Sequence, residues 1–358
     1  MKTSFSPSFP AILAEAQATL AISTYQGGKV VLASSVNGSH LHQFAKSFPR
    51  PMGMAIHPEG SLAIACKQTV EVMAANRKLS LNFPKEPQKY DGIFFPRATY
   101  YTGPTDLHDM EWVGDDLIAV NTAFSCLCKI THANSFEPIW QPSFIDELMP
   151  EDRCHLNGLA MLDGQPKYVS MMCRTNEHQG WRKQPLDSGV IMDIEDESII
   201  ADQLPMPHSP RVIDGKLYFL LSAVGEIYVH DLSTGVTDLF QSTAGFARGM
   251  THMGDYLFVG SSKIRPTSKS FRNLPISKRA EHACIEVFRI SNGDKVAELV
   301  YGEKIEELFD LAILPGIRRG GILDKSGEWV NRAIVMDDKQ CFWKKEQKQE
   351  EKAEVTNS

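Results

Sequence analysis

One motif recurs along the chain and limits what it can fold into. In its clearest copy, His155-Leu156-Asn157-Gly158-Leu159-Ala160-Met161, a polar residue opens a short apolar run, and a Gly/Asp turn separates that run from a second one. Altered copies open at Arg50, His108, His208, Arg248 and Glu307, so six openers stand 40 to 59 residues apart. That interval is the length of a four-stranded propeller blade with its loops. His108, His208 and Arg248 also share an inner detail, each standing nine residues before a leucine (Leu117, Leu217, Leu257). The spacing predicts an all-β chain forming a single six-bladed β-propeller.

The innermost strands of such a fold line a central channel, so equivalent openers form a ring at one of its mouths. The expected ring is Arg50, His108, His155, His208, Arg248 and Glu307, with Glu306 as a substitute for the last. Neutral imidazoles from three adjacent blades are ligands for zinc, copper or iron, which makes His108, His155 and His208 a candidate site for one divalent metal. Around it, Glu307 and His155 are the candidate catalytic groups, and Arg50, Arg211 and Arg248 the groups to neutralise a carboxylate, phosphate or oxyanion. Asn157 is a candidate for polar support.

A structural reading stands beside this one: the histidines bond neighbouring blades' carbonyls, and arginine and glutamate pair to plug the channel. Ser125 and Ser209 lack a nucleophile elbow, which argues against a serine hydrolase. Three functions stay open: a propeller binding a small anionic or peptide ligand, a metal-dependent hydrolase or lyase using the three histidines, and a protein-interaction scaffold.

Closure and excursions follow from the remaining strands. Residues 20–25, 29–34 and 40–44 precede the first opener, and pairing them with 308–314 closes the ring between N- and C-terminal strands without an exposed edge. The domain is then 19–343, after an irregular arm over 1–18 with a short helix near 11–18 and before a charged tail over 344–358 that reads as disordered. Excursions fall at 76–105, 131–154, 174–188 and 263–283. The first is aromatic and a candidate roof for a channel mouth. The third carries Glu177, His178, Trp181 and Arg182 toward the rim, and the last is basic, with Arg265 and Lys269 among its charges.

Bulk properties narrow the partners. A net charge of −7 and a pI near 5.9 over 358 residues argue against general nucleic-acid or anionic-membrane binding. No stretch is apolar for long enough to span a bilayer, and residues 11–22 lack a basic leader, so a cytoplasmic location is expected. Seven cysteines, an odd number spread over a large domain, suit reduced thiols; Cys126-Leu127-Cys128 reads as two core thiols on one strand face.

The motifs Ser23-Thr24-Tyr25-Gln26-Gly27-Gly28-Lys29, Asn121-Thr122-Ala123-Phe124-Ser125-Cys126-Leu127, Pro150-Glu151-Asp152-Arg153-Cys154-His155-Leu156-Asn157-Gly158 and Pro207-His208-Ser209-Pro210-Arg211 together resemble a bacterial family of conserved hypothetical proteins, a domain of unknown function. Leu274-Pro275-Ile276 and Leu314-Pro315-Gly316 fit it too, so the likeness spans residues 20–316. Some relatives join the domain to tetratricopeptide repeats, which implies an intracellular setting. The resemblance supports the fold and the site positions and supplies no chemistry. Residues 183–188 and the segment after Gly316 depart from it.

Overall fold

The computed structural model describes residues 2–184, 186–264, 271–302, 304–337 and 339–345. Six sheets stand in a ring, each built on four antiparallel strands: the six-bladed propeller that the repeat predicts. The inner strands of blades one to six are Met54–Ile56, Leu107–Val113, Leu156–Leu162, Pro207–Ile213, Phe246–Met253 and Asp310–Pro315. Blade six takes Asp310–Pro315 from the C-terminal side and Ala18–Thr24, Lys29–Ser34 and His42–Ser47 from the N-terminal side, closing the ring.

Most middle strands are buried along the greater part of their length, because successive side chains point to opposite faces and each blade turns apolar side chains to both neighbours. Between blades five and six, for instance, Phe258, Ile285 and Leu299 meet Leu20, Ile22 and Leu311. Between blades two and three, Ile118, Val120 and Leu127 meet Leu156, Leu159 and Val169.

At one level of the channel the inner strands alternate between a polar residue and glycine. Asp109, Ser209 and Asp310, on blades two, four and six, each accept a backbone N–H from the following blade: Leu159 at 3.0 Å, Gly249 at 3.1 Å and Met54 at 2.8 Å. Blades one, three and five carry Gly53, Gly158 and Gly249. A Cβ on Gly53 would lie 2.9 Å from the Asp109 Cα, and one on Gly158 would run into the Pro210 ring. Glycine here is therefore a condition for the strands to come together at all.

Two expectations are corrected. The arm is ordered over residues 2–18: Thr3–Phe5 adds a fifth strand to blade five against Lys295–Tyr301, and the helix Ser8–Glu15 buries Phe9, Ile12 and Leu13 in the seam between blades five and six. The 76–105 excursion does not roof the channel. It forms a short helix, Arg77–Leu81, and the outer strand of blade one, Gly92–Tyr101, against which Gly320–Ile322 pairs in parallel. Its aromatics pack outward instead, where Phe83 meets Trp329 and Trp343, each at 5.3 Å between ring centroids. From residue 346 onward the expected charged tail lies outside the described residues, as do Arg265 and Lys269. All seven cysteines are unbridged, and among the described residues no helix is long and apolar enough to cross a membrane.

Candidate functional site: a cavity at one mouth of the channel

A cavity of about 580 Å³ opens where the inner strands begin, and His108, His155, His208, Arg248 and Glu307 all line it. Local backbone explains how two of the histidines are aimed. Asp106 and Met206 hold left-handed conformations, φ 48° and 60°, which turn their carbonyls back onto the ring two residues later. His108 Nδ1 meets Asp106 O at 2.9 Å, and His208 Nδ1 meets Met206 O at 3.0 Å and Ser222 Oγ at 2.7 Å. In blade three a carboxylate replaces the carbonyl: His155 Nδ1 donates to Asp152 Oδ1 at 2.7 Å, and Asp152 Oδ2 accepts from Trp181 Nε1 at 2.9 Å. Asp152, His155 and Gln179 are also left-handed, at φ 50°, 50° and 46°. Non-glycine residues in that region cost about 1–3 kcal/mol each and gather where a site over-determines them. Five of them line this one cavity.

The wall is a continuous run of rings. Arg182 lies 4.2 Å over Trp181, Trp181 packs on His155 at 4.3 Å, and His155 meets His108 edge to face at 5.1 Å. His108 contacts Phe309 at 5.2 Å, and the Arg248 guanidinium sits 3.6 Å over the Phe309 ring. Tyr25 stacks on Phe309 at 5.6 Å and carries Arg50 at 5.6 Å at the exposed rim. His208 belongs to a second run, through Phe246 at 5.7 Å to Phe271.

Electrostatics follow burial. Desolvation pushes His108 and His208 well below the ordinary imidazole range, with the Arg248 charge adding to it, so both rings are neutral. Arg248 is drawn down by burial, against the raising effect of Glu307. Its side chain is 14% exposed, and the Glu307 carboxylate stands 3.9 Å away, beyond hydrogen-bond reach.

Four expected members fall elsewhere. Arg50 stays on the rim. Asn157 is buried and donates to Pro207 O at 3.1 Å, tying blade three to blade four. Glu306 pairs with Lys263 at 3.4 Å outside the cavity. Arg211 lies three residues along the strand from His208, about 10 Å at 3.3 Å per residue. It therefore reaches a second cavity, of about 710 Å³, at the opposite mouth, and its guanidinium grips Asp109 at 2.8 and 3.2 Å. The three histidines do not form a ready metal centre: His108 and His155 approach, His208 packs on Phe246, and among the described residues no group of three His, Cys, Asp or Glu side chains is set to hold an ion.

Sequence reasoning left out Asp152, Tyr25 and Phe309 and placed Trp181 only as a candidate for the rim. The Asp152-to-His155 spacing was a usable signal, since an acid three residues before a left-handed histidine can reach back to its Nδ1.

Fold and site together define a six-bladed β-propeller with an aromatic-walled cavity at one end of its channel, lined by Arg182 and Arg248 together with Asp106, Glu151, Asp152 and Glu307. The chain belongs to the family described as Domain of unknown function (DUF4915), whose model matches residues 7–323. It matches no curated protein sequence. Among solved structures it is similar to a nidogen/laminin complex, with TM-score 0.53, 8% identity, and coverage of 84% of this chain and 99% of that one. A protein of unknown function from Bacteroides caccae aligns at TM-score 0.49 and 8% identity over 83% and 98%. Virginiamycin B lyase from Staphylococcus aureus aligns at 0.41 and 10% over 79% and 80%. At such identities the likeness is one of fold alone.

Proposed function

We propose that the channel-mouth cavity binds a small anionic ligand and that Arg248 holds its charge. The observation that carries this is the state of Arg248. It is a largely buried guanidinium whose side chain makes no hydrogen bond to any described residue, with an aromatic face below it and its nearest carboxylate at 3.9 Å. Its five N–H donors face the cavity, where a carboxylate or phosphate would meet two of them side by side. The backbone strain gathered around the cavity supports a site held open for a ligand over a packed plug. Seven unbridged thiols fit a reducing, cytoplasmic setting.

Thermal unfolding with benzoate or inorganic phosphate tests the proposal. A ligand at a hundredfold excess over its Kd stabilises the native state by about 2.7 kcal/mol, so at least one anion should raise the Tm of the parent and leave Arg248→Gln unmoved. No shift in the parent, or an equal shift in the variant, would overturn it.

A further inference from the structure

The surroundings of the three cavity histidines fix their tautomers. A backbone carbonyl or a carboxylate only accepts, so the bonds from His108 to Asp106 O and from His155 to Asp152 Oδ1 each place the proton on Nδ1. Ser222 gives its own proton to Ala247 O at 2.5 Å, so it too accepts from His208 Nδ1, alongside the Met206 carbonyl. Nε2 of the neutral His108 and His208 rings is then a lone pair, and neither it nor the His155 Nε2 meets a hydrogen-bond partner among the described residues.

This constrains the body of the ligand as Arg248 constrains its charge. An anion that only accepts, such as fully ionised phosphate, satisfies the guanidinium and opposes the lone pairs of His108 and His208. A ligand that also brings donors satisfies both. Ammonium donors fit poorly, because the carboxylates deep in the wall are engaged: Asp152 by His155 and Trp181, and Glu151 by Arg153 at 2.8 Å. Neutral hydroxyls fit neutral imidazoles. The aromatic wall, with Tyr25, Phe246 and Phe309, suits the C–H face of a compact ring or chain.

We infer that the cavity takes a polyhydroxylated carboxylate, a sugar acid, with its carboxylate on Arg248 and its hydroxyls donating to Nε2 of His108 and His208. The inference rests on the anion-binding reading above and adds the chemistry of the ligand's body.

Isothermal titration calorimetry on the EDTA-treated full chain, at about pH 7.5 where the depressed His108 and His208 are neutral, compares D-glucuronate, D-galacturonate and D-gluconate with cyclohexanecarboxylate. The last carries the same charge and no hydroxyl. At least one hydroxy acid should bind about tenfold more tightly than cyclohexanecarboxylate, the worth of one well-made hydrogen bond. His108→Phe keeps a ring in the wall and removes Nε2; it should bring the ratio of hydroxy-acid to cyclohexanecarboxylate affinity close to one, and a cooperative unfolding transition shows that the variant is folded. If cyclohexanecarboxylate or inorganic phosphate binds as well as the best hydroxy acid, or the variant keeps the advantage, the donor inference fails and the role of Arg248 stands. If the hydroxy acids bind only after zinc is added, the lone pairs serve a metal and the inference likewise fails. If no anion binds at all, both readings fall.

Discussion

Gly249 in blade five and Asp310 in blade six are in such close contact that a Cβ on Gly249 would stand 2.8 Å from the Asp310 Cα. Gly249 is also left-handed, at φ 78°, and donates its N–H to Ser209 Oγ on the other side. Gly249→Ala therefore combines backbone strain with a clash against main chain that cannot turn away. The expected loss is about 3 kcal/mol, read as a lower denaturant midpoint at unchanged slope. An equally stable variant would mean that the inner strands are free to separate.

Asp109 and Arg211 close the channel below the cavity. The carboxylate takes two guanidinium bonds as well as the N–H groups of Met110 and Leu159. Asp109→Ala should cost about 3–5 kcal/mol, because it leaves Arg211 buried without its partner. Combining it with Arg211→Met removes the stranded charge, so the double variant should be more stable than the sum of the singles predicts. Strict additivity in denaturant unfolding would show that the pair is not coupled.

Glu111 faces the opposite cavity, beside this pair. Burial pushes its carboxyl up to about 7, reinforced by Asp109 and Asp310 and opposed by Arg211. The folded value lies above the unfolded one, so the native state binds the extra proton, and stability falls as pH rises from the ordinary glutamate range through about 7. Glu111→Gln removes that penalty. It should gain stability over the parent as pH climbs through this window, on the order of 2 kcal/mol above it, with no gain in acid. Melting curves across pH measure the difference; a variant less stable than the parent at alkaline pH would contradict the assignment.

Blade number and ring closure were legible because they rest on a repeat: each opener marks the start of an inner strand, and strand period fixes which residues face the channel. Arg211 and Asn157 went astray for a geometric reason. Residues two or three positions past an opener lie 6–10 Å deeper along the strand, which removes them from the mouth; a bulge between His208 and Arg211 alters the register as well. Asp152, Trp181 and Tyr25 come from loops or neighbouring strands, outside the repeat, so no periodicity marks them. The N-terminal strand was hidden by its length: Thr3–Phe5 owes its place to an edge offered by Lys295–Tyr301, almost three hundred residues away.

If Arg248 holds an anion beside Glu307, as we propose, calorimetric titration of benzoate into the parent, Arg248→Gln and Glu307→Gln reads this out. Among the described residues, Glu307 is the acid nearest the guanidinium, at 3.9 Å. Replacing it by glutamine removes a charge that repels the ligand and draws on Arg248, so Glu307→Gln should bind benzoate several-fold more tightly while Arg248→Gln loses binding. Unchanged affinity in both variants, or weaker binding in Glu307→Gln, would contradict the account.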